Sequence, residues 1–581
     1  MSDRRSCREK KGAKGFDSYE KRPTKKNKRP LNRYEIEKPE DLDVSASAKK
    51  LKGRDVTDIE VDPTFGYNIV NFVAVFAAIS NVVVCKVCHS EVSFTESSKR
   101  GLGFKIVVSC KNCDKTEIPS CPYVKNAYEI NRRIILAMRL LGVGLQGLRK
   151  FSAFMELPRP VYQSVYDTIV QNISNATKIV SERSLSNAAK EEKRLSVENG
   201  EINGITVSGD GSWRKRGFSS LYGFVSLIGW HTGTVIDVLV KSKFCKSCEF
   251  WAKKEHTDEY KEWAENHVDN CEANHEGSAG KMEVDAVIEM FQRSEELHDV
   301  QYVSYVGDGD SKTFKGVTDA EPYENVTITK KECVDHVQKR MGTHLRNLKK
   351  RTKGLGGKGK LTGKLIDELS IYFGLAIRRN CESVEKMKTA IWATLLHKIS
   401  TDNHPQHDNC PTGENSWCSW QRAKSSNTLA TYTHKPPMSD VVYEAIKPVY
   451  EQLTADDLLT RCIGGFTQNN NESLNSTVWA IAPKTLNSGK KVIDIAVNIA
   501  SCIFNDGLLS VLRIIEVMEM KKGPKSYELC MELNERRIQK AERSMTEGAK
   551  QARIDQMSIR KAKHQQEIDE EGQLYGAGIA D

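Results

Sequence analysis

"VQYVSYVGDGDSKT", residues 300–313, is an apolar run that stops at two aspartates one glycine apart. Valine and tyrosine in this density read as a buried strand, and glycine lets the chain turn sharply at its tip without steric cost. Asp308 and Asp310 repel each other there unless water solvates them or a hard cation lies between them. Mg²⁺ is commonly held by one or two protein carboxylates plus substrate phosphates. A polar loop capping a strand has the same residues, so the segment alone leaves both readings open.

The flanking sequence places this strand in a sheet. Upstream, "GITVSGDGSW" (204–213), "SSLYGFVSLIG" (219–229) and "GTVIDVLVKSKF" (233–244) are β-rich, short-linked and glycine-punctuated, as in a three-stranded antiparallel meander. "KMEVDAVIEMFQRSEEL" (281–297) has the apolar spacing of an amphipathic helix, and "NVTITK" (325–330) supplies a fifth strand after a short helix. Three strands, a helix, a strand, a short helix and a strand is the order of a ribonuclease H-like α/β core with a mixed sheet. In that fold the middle of the first strand adjoins the end of the fourth, so Asp210 and Asp308 can share a cation.

A third acid must come from a later helix. "FTQNNNESLNSTVWAIAPK" (466–484) offers Glu472, with Asn475 and Trp479 on the same helical face, a stripe that solvent exposure explains equally well. Asp310 rivals Asp308 as ligand; Glu283 is a weaker rival to Glu472 and is expected to face solvent. Three such carboxylates would hold two Mg²⁺ (or Mn²⁺) ions about 4 Å apart, stabilising the attacking and leaving oxygens of an in-line phosphodiester displacement.

At 581 residues the chain exceeds one hydrophobic core and predicts about three or four domains. Its longest apolar stretch, 69–85, is broken by Asn71, Ser80 and Asn81, which predicts a core helix and not a bilayer span. The N-terminus lacks the apolar segment of a secretory signal, so the sixteen cysteines are expected in a reducing compartment, where clustered Cys and His indicate metal. Cys85, Cys88, Cys110 and Cys113 form two CxxC knuckles 21 residues apart, the donor set of one tetrahedral Zn²⁺ in a zinc ribbon. Four of Cys245, Cys248, His267, Cys271 and His275 can close a second site, the favoured set being Cys245, Cys248, Cys271 and His275. His404, His407, Cys410 and Cys418 are unevenly spaced, and their binding of zinc is left open.

The net charge of +10 is unevenly spread. Residues 1–30 carry twelve Lys/Arg against four Asp/Glu, and "KRPTKKNKRP" (21–30) suits nuclear import or a nucleic-acid contact. Residues 339–364 hold ten Lys/Arg and no acid. A surface that basic calls for an anionic partner, and Lys339, Arg340, Arg346, Lys349, Lys350, Arg351 and Lys353 are the expected contacts to double-stranded DNA. Residues 124–180 read as helices interrupted at Gly142, Gly144 and Gly147, compatible with a helix-turn-helix-like reader or a plain bundle.

Taken in order, "SGDGSW", "KSKFCKSCEFW", "GKMEV", "YVGDGDSKT", "CVDH" and "NNNESLNSTVWAIAPK" resemble the Mutator-like transposases, a branch of the DDE transposases with a ribonuclease H-like core, over roughly residues 60–520. The resemblance implies that Asp210, Asp308 and Glu472 are the catalytic triad, that the 163 residues between the last two contain a helical insertion, and that Cys333 and His336 are the family's CxxH motif, whose role the residues do not disclose.

The expected layout is a disordered basic arm (1–60), a zinc ribbon with its preceding helix (61–122), a helical DNA-binding region (123–195) and the first part of the core (196–338) with a zinc-binding insertion (245–275). A basic, mainly helical insertion (339–465), the final core helix region (466–525) and a charged helical or disordered tail (526–581) complete it. The expected activity is Mg²⁺-dependent cut-and-paste transposition by a nuclear homo-oligomer on DNA, with structural Zn²⁺. The alternative is a transposon-derived DNA-binding protein without catalysis.

Overall fold

The computed structural model describes residues 45–51, 59–215, 220–307, 311–357 and 359–546, with six further positions between 548 and 556. Asp308 and Asp310, most of the expected basic arm and the end of the tail lie outside the described residues.

Part of the arm is helical. In α1 (Ala46–Leu51) the Lys50 ammonium donates to the Gly233 carbonyl and lies 3.8 Å from the centre of the Phe504 ring. The apolar stretch at 69–85 yields α2 (Phe72–Ser80), capped by Asn71, whose side chain accepts from the Ala74 N–H at 3.1 Å. The expected core helix is not found: none of these described residues is buried. Phe72 and Phe76 pack on Phe104 and Phe94 of a small sheet, β1 (Ser93–Arg100), β2 (Gly103–Ser109) and β3 (Thr116–Pro119), antiparallel in that order. A short hairpin, β4 (Tyr123–Val124) and β5 (Ala127–Tyr128), leads into α3 (Glu129–Leu140), α4 (Leu145–Phe154) and the 36-residue α5 (Gln163–Glu198). Gly142, at φ +72, makes the break between α3 and α4, and a Cβ there would lie 2.7 Å from Pro483.

Helix α5 is a core helix. Ile169, Ile173, Ala176, Val180 and Leu185 form one buried stripe, and buried Glu192 accepts from the backbone N–H groups of His231 and Thr232, both at 2.8 Å. The longest helix of the region expected to bind DNA thus joins the next layer, its apolar face packing in one cluster with Ile493, Ala496 and Ala500 of a later helix and with sheet residues such as Phe224.

That sheet has five strands, β6 (Ile205–Trp213), β7 (Tyr222–Gly229), β8 (Val235–Ser242), β9 (Tyr302–Gly307) and β10 (Thr329–Glu332), in the order β10-β9-β6-β7-β8. β6, β7 and β8 pair antiparallel, whereas β9 lies parallel between β6 and β10. Between β8 and β9 run α6 (Lys246–Trp251), α7 (Asp258–His267), α8 (Ala279–Gln292) and α9 (Ser294–His298); α10 (Ser311–Asp319) precedes β10. The fifth strand sits a few residues later than its apolar pattern predicts, since it pairs Thr329 with Ser304 and Glu332 with Gly307. Alternation splits the side chains: Val225 and Leu227 pack with Met290 and Phe291 of α8, while Phe224 and Ile228 join the cluster containing α5.

Six helices then follow among the described residues, five of which share a separate core around Val337, Met341, Leu345, Phe373, Ile391 and Tyr450. They are α11 (Val334–Arg351), α12 (Gly363–Arg379), α13 (Val384–Ile399), α14 (Ser419–Ser425), α15 (Asp440–Leu453) and α16 (Asp456–Thr460). The insertion core begins at Val334, slightly before the expected boundary. The chain returns to the sheet with α17 (Asn469–Ile481), α18 (Lys490–Asp506) and α19 (Ser510–Val517), and α20 (Pro524–Met545) carries the start of the charged tail. Among the described residues no helix is long and apolar enough to cross a membrane.

Candidate functional site

Strand β6 and helix α17 meet along matched polar stripes. Ser208, Asp210 and Ser212 alternate onto one strand face, advancing about 6.8 Å per step of two residues. Asn471, Asn475 and Trp479 recur every four helical residues, about 6 Å apart. The two repeats nearly coincide, so each helix side chain meets one strand side chain. Asn471 Oδ1 accepts from Ser208 Oγ at 2.9 Å, Asn475 Nδ2 donates to Asp210 Oδ2 at 2.7 Å, and Trp479 Nε1 donates to Ser212 Oγ at 2.8 Å. Gln468 Nε2 adds a bond to the Gly209 carbonyl at 2.6 Å. The expected face of α17 thus exists, but Asn475 and Trp479 face the sheet whereas Glu472, one turn before Asn475, stays 63% exposed at the edge.

Asn471 is fully buried and also donates to the carbonyls of Ser208 and Ser226. Asn471→Ala leaves these groups without their partner, and the expected cost is on the order of 2–3 kcal/mol, read as a lower urea midpoint.

Asp210 is partly buried and its carboxyl is pushed up from the ordinary 3.8 to about 6. Desolvation is the main cause and the Glu472 charge adds to it, while the bond from Asn475 and the His336 ring pull the other way. A raised carboxyl favours the fold only while it is protonated. Without Mg²⁺ this contribution is full below pH 4 and is lost as pH rises through about 6, a fall of about 3 kcal/mol. Asp210→Asn is therefore expected to stabilise the Mg²⁺-free protein at pH 7 and to change little at pH 4, as thermal melts at the two pH values will show.

The CxxH pair lies at the start of α11. Buried Cys333 is its N-cap residue and His336 stands in the first turn, close enough to Asp210 to act on its charge. Lys339, one turn further on, places its ammonium 3.8 Å from Glu472. The structure thus gathers Asp210, Glu472, His336 and Lys339. Asp308 follows Gly307, the last residue of β9, in sequence. Glu283 does not simply face solvent: it is partly buried on α8, and a Cβ on Gly211 would lie 2.9 Å from its Oε2, so it flanks β6 from the opposite face. The strand pattern alone could not show this, since it depends on how α8 crosses the sheet.

The basic residues divide by role. Arg340 and Arg461 both pair with buried Glu332, and Arg346 meets Asp367 at 2.7 Å. Lys339 is exposed near the start of α11, Lys350 and Arg351 are exposed and Lys349 partly so at its end, about 16 Å further along the helix, and Lys353 is exposed just beyond it. The cations at its end also suit the negative pole of the helix.

Cysteine clusters are read by their edges. Zn–S near 2.3 Å and Zn–N near 2.0–2.1 Å put tetrahedral ligand atoms about 3.4–3.8 Å apart. Cys85 and Cys113 sulfurs are 3.8 Å apart, those of Cys88 and Cys110 3.6 Å, and the four ligand atoms fit one such ion. The bond from Ser90 holds the Cys88 thiol down to about 6. In the second cluster Cys245, Cys248 and Cys271 gather with His267, whose Nε2 lies 3.3 and 3.2 Å from the first two sulfurs. The favoured fourth residue, His275, is displaced from this role, because its ring is engaged by Asp285 at 3.2 Å and by the Ser278 carbonyl at 3.2 Å. His267 ends α7, stacked on Trp263 four residues earlier, a spacing that could have revealed it. Of the open set, His407, Cys410 and Cys418 are buried together while His404 is exposed.

A family model described as Mutator-like transposase matches residues 66–418, a stretch that contains Asp210, Asp308, Cys333 and His336 and ends before Glu472. No curated protein matches the chain.

Proposed function

The chain belongs to the Mutator-like transposase family, and from that premise we propose that it is a DDE transposase that cuts element ends and joins them to target DNA, with Asp210, Asp308 and Glu472 as metal ligands. The observation that carries this reading is the laying of α17 along β6, which sets Glu472 beside Asp210. The strand order β10-β9-β6-β7-β8 with its single parallel pair of junctions supports a ribonuclease H-like core.

In this reading Asn475 fixes one carboxylate oxygen of Asp210 and leaves the other for a cation. The family implies DNA as partner. The exposed cations of α11 take the sugar–phosphate backbone, starting at Lys339 next to the triad, so that a strand held along the helix has its reacting phosphate at the acids. Bound Mg²⁺ (or Mn²⁺) would supply charge neutralisation for the attacking and leaving oxygens. Zn²⁺ at Cys85, Cys88, Cys110 and Cys113, and at Cys245, Cys248, His267 and Cys271, would hold two modules of little apolar content in shape. In this reading the protein works in the nucleus, which the basic run at 21–30 suits, and the pairing of two element ends calls for a homo-oligomer.

The test uses purified full-length protein, Mg²⁺ and DNA taken from both genomic flanks of the reading frame, searched for inverted repeats. Nicked ends and a joined product are expected. Binding without any nick would overturn the reading in favour of a non-catalytic DNA binder, and cutting without joining would favour a nuclease.

A further inference from the structure

Residues 400–438 run for most of their length without regular structure, holding α14 and one short 3₁₀ turn. Loops this long have little apolar surface of their own to bury and need another constraint. Their local core is Cys410 and Cys418 with Ala393, flanked by Trp417 and Trp420. Into it point His397, from the last turn of α13, and His407.

The four ligand atoms have tetrahedral edges. His397 Nδ1 and His407 Nδ1 are 3.2 Å apart; Cys418 Sγ lies 3.6 and 3.4 Å from them, and Cys410 Sγ 3.9 and 3.8 Å. The outer nitrogens add an independent observation. His434 Nδ1 lies 2.6 Å from Asp402 Oδ1, and a carboxylate only accepts, so that nitrogen carries a proton. His407 Nε2 is engaged on its outer side by His434 Nε2 at 2.9 Å and Ser400 Oγ at 2.8 Å. His407 Nδ1 therefore faces inward, toward two sulfurs and a second imidazole. Such a convergence of ligand atoms is what a soft cation stabilises.

We propose that His397, His407, Cys410 and Cys418 form a further zinc site within the helical insertion, with Asp402 and His434 as its outer relay. Four protein ligands leave no open position, so the ion is structural, and two imidazoles with two thiolates in a tetrahedron select Zn²⁺. It joins the end of α13 to the N-cap residue of α14, Cys418, and thereby fixes the long connection to the insertion core. His397 replaces His404 in the set because a helix presents it to the loop, whereas His404 points outward.

Zinc is counted by elemental analysis of full-length protein. Cys410→Ala is expected to hold one equivalent less than wild type, and His404→Ala to match wild type. Equal zinc in Cys410→Ala and wild type overturns the site, as does an intact mass showing Cys410 and Cys418 joined in a disulfide. Cys410→Ala also removes a buried side chain of the insertion, so a second variant, Asp402→Asn, keeps every ligand and changes only the relay. It is expected to weaken one zinc 10- to 100-fold in chelator competition while the others hold; an unchanged titration overturns the relay.

Discussion

Glu472→Gln lowers Mg²⁺-dependent joining of element ends on the order of 10³-fold, the scale seen when a charge-stabilising group is removed from a polar active site. The side chain is 63% exposed and its ion pair to Lys339 spans 3.8 Å at the surface, so the folded state loses almost nothing. Unchanged melting, unchanged DNA binding and lost chemistry are the joint expectation, measured by strand transfer on matched ends. Asp308→Asn should behave alike. Full activity in either variant would remove that residue from the triad. The contrast with Asp210→Asn is informative, because that variant should lose activity and yet melt higher at pH 7 without Mg²⁺.

The second large effect is expected at Cys85, Cys88, Cys110 and Cys113. Their module is three short strands with α2 riding on it, and β3 is exposed at all four positions. Metal binding at structural sites of this kind contributes about 10–16 kcal/mol at neutral pH, more than the whole stability of most small domains. Cys110→Ser is therefore expected to unfold residues 85–119 while the five-stranded sheet remains. Limited proteolysis should cut inside this segment, and binding to element ends should drop if the module reads DNA. An intact, protease-resistant module without zinc would show that the sulfurs are not ligands.

The strands and helices that contact the site were legible because their apolar periods are clean. β6, β7, β8 and β9 fall inside the stretches that alternation marked, and Asp210 lies on the strand expected for it. Failures have particular causes. α2 has the composition of a core helix but its partners are ring edges of the small sheet, which composition does not encode. β10 starts later than Val326 and Ile328 suggest because pairing with β9, and the buried ion pairs of Glu332, fix its register. Spacing favours His275 over His267, and what reverses the choice is the engagement of its ring by the Asp285 carboxylate and the Ser278 carbonyl.

By itself the sequence determined which side chains are available for chemistry: acids at strand ends, paired cysteines, a run of cations without acids. Those are local properties, set by residue type and by repeats of two and about four. Tertiary structure decided which of them meet. That Asn475 holds Asp210, that Lys339 reaches Glu472, that Arg340 is spent on Glu332 and that His397 joins cysteines far along the chain all depend on how helices cross strands. Crossing angles follow from packing among residues distant in sequence, and no local pattern contains them.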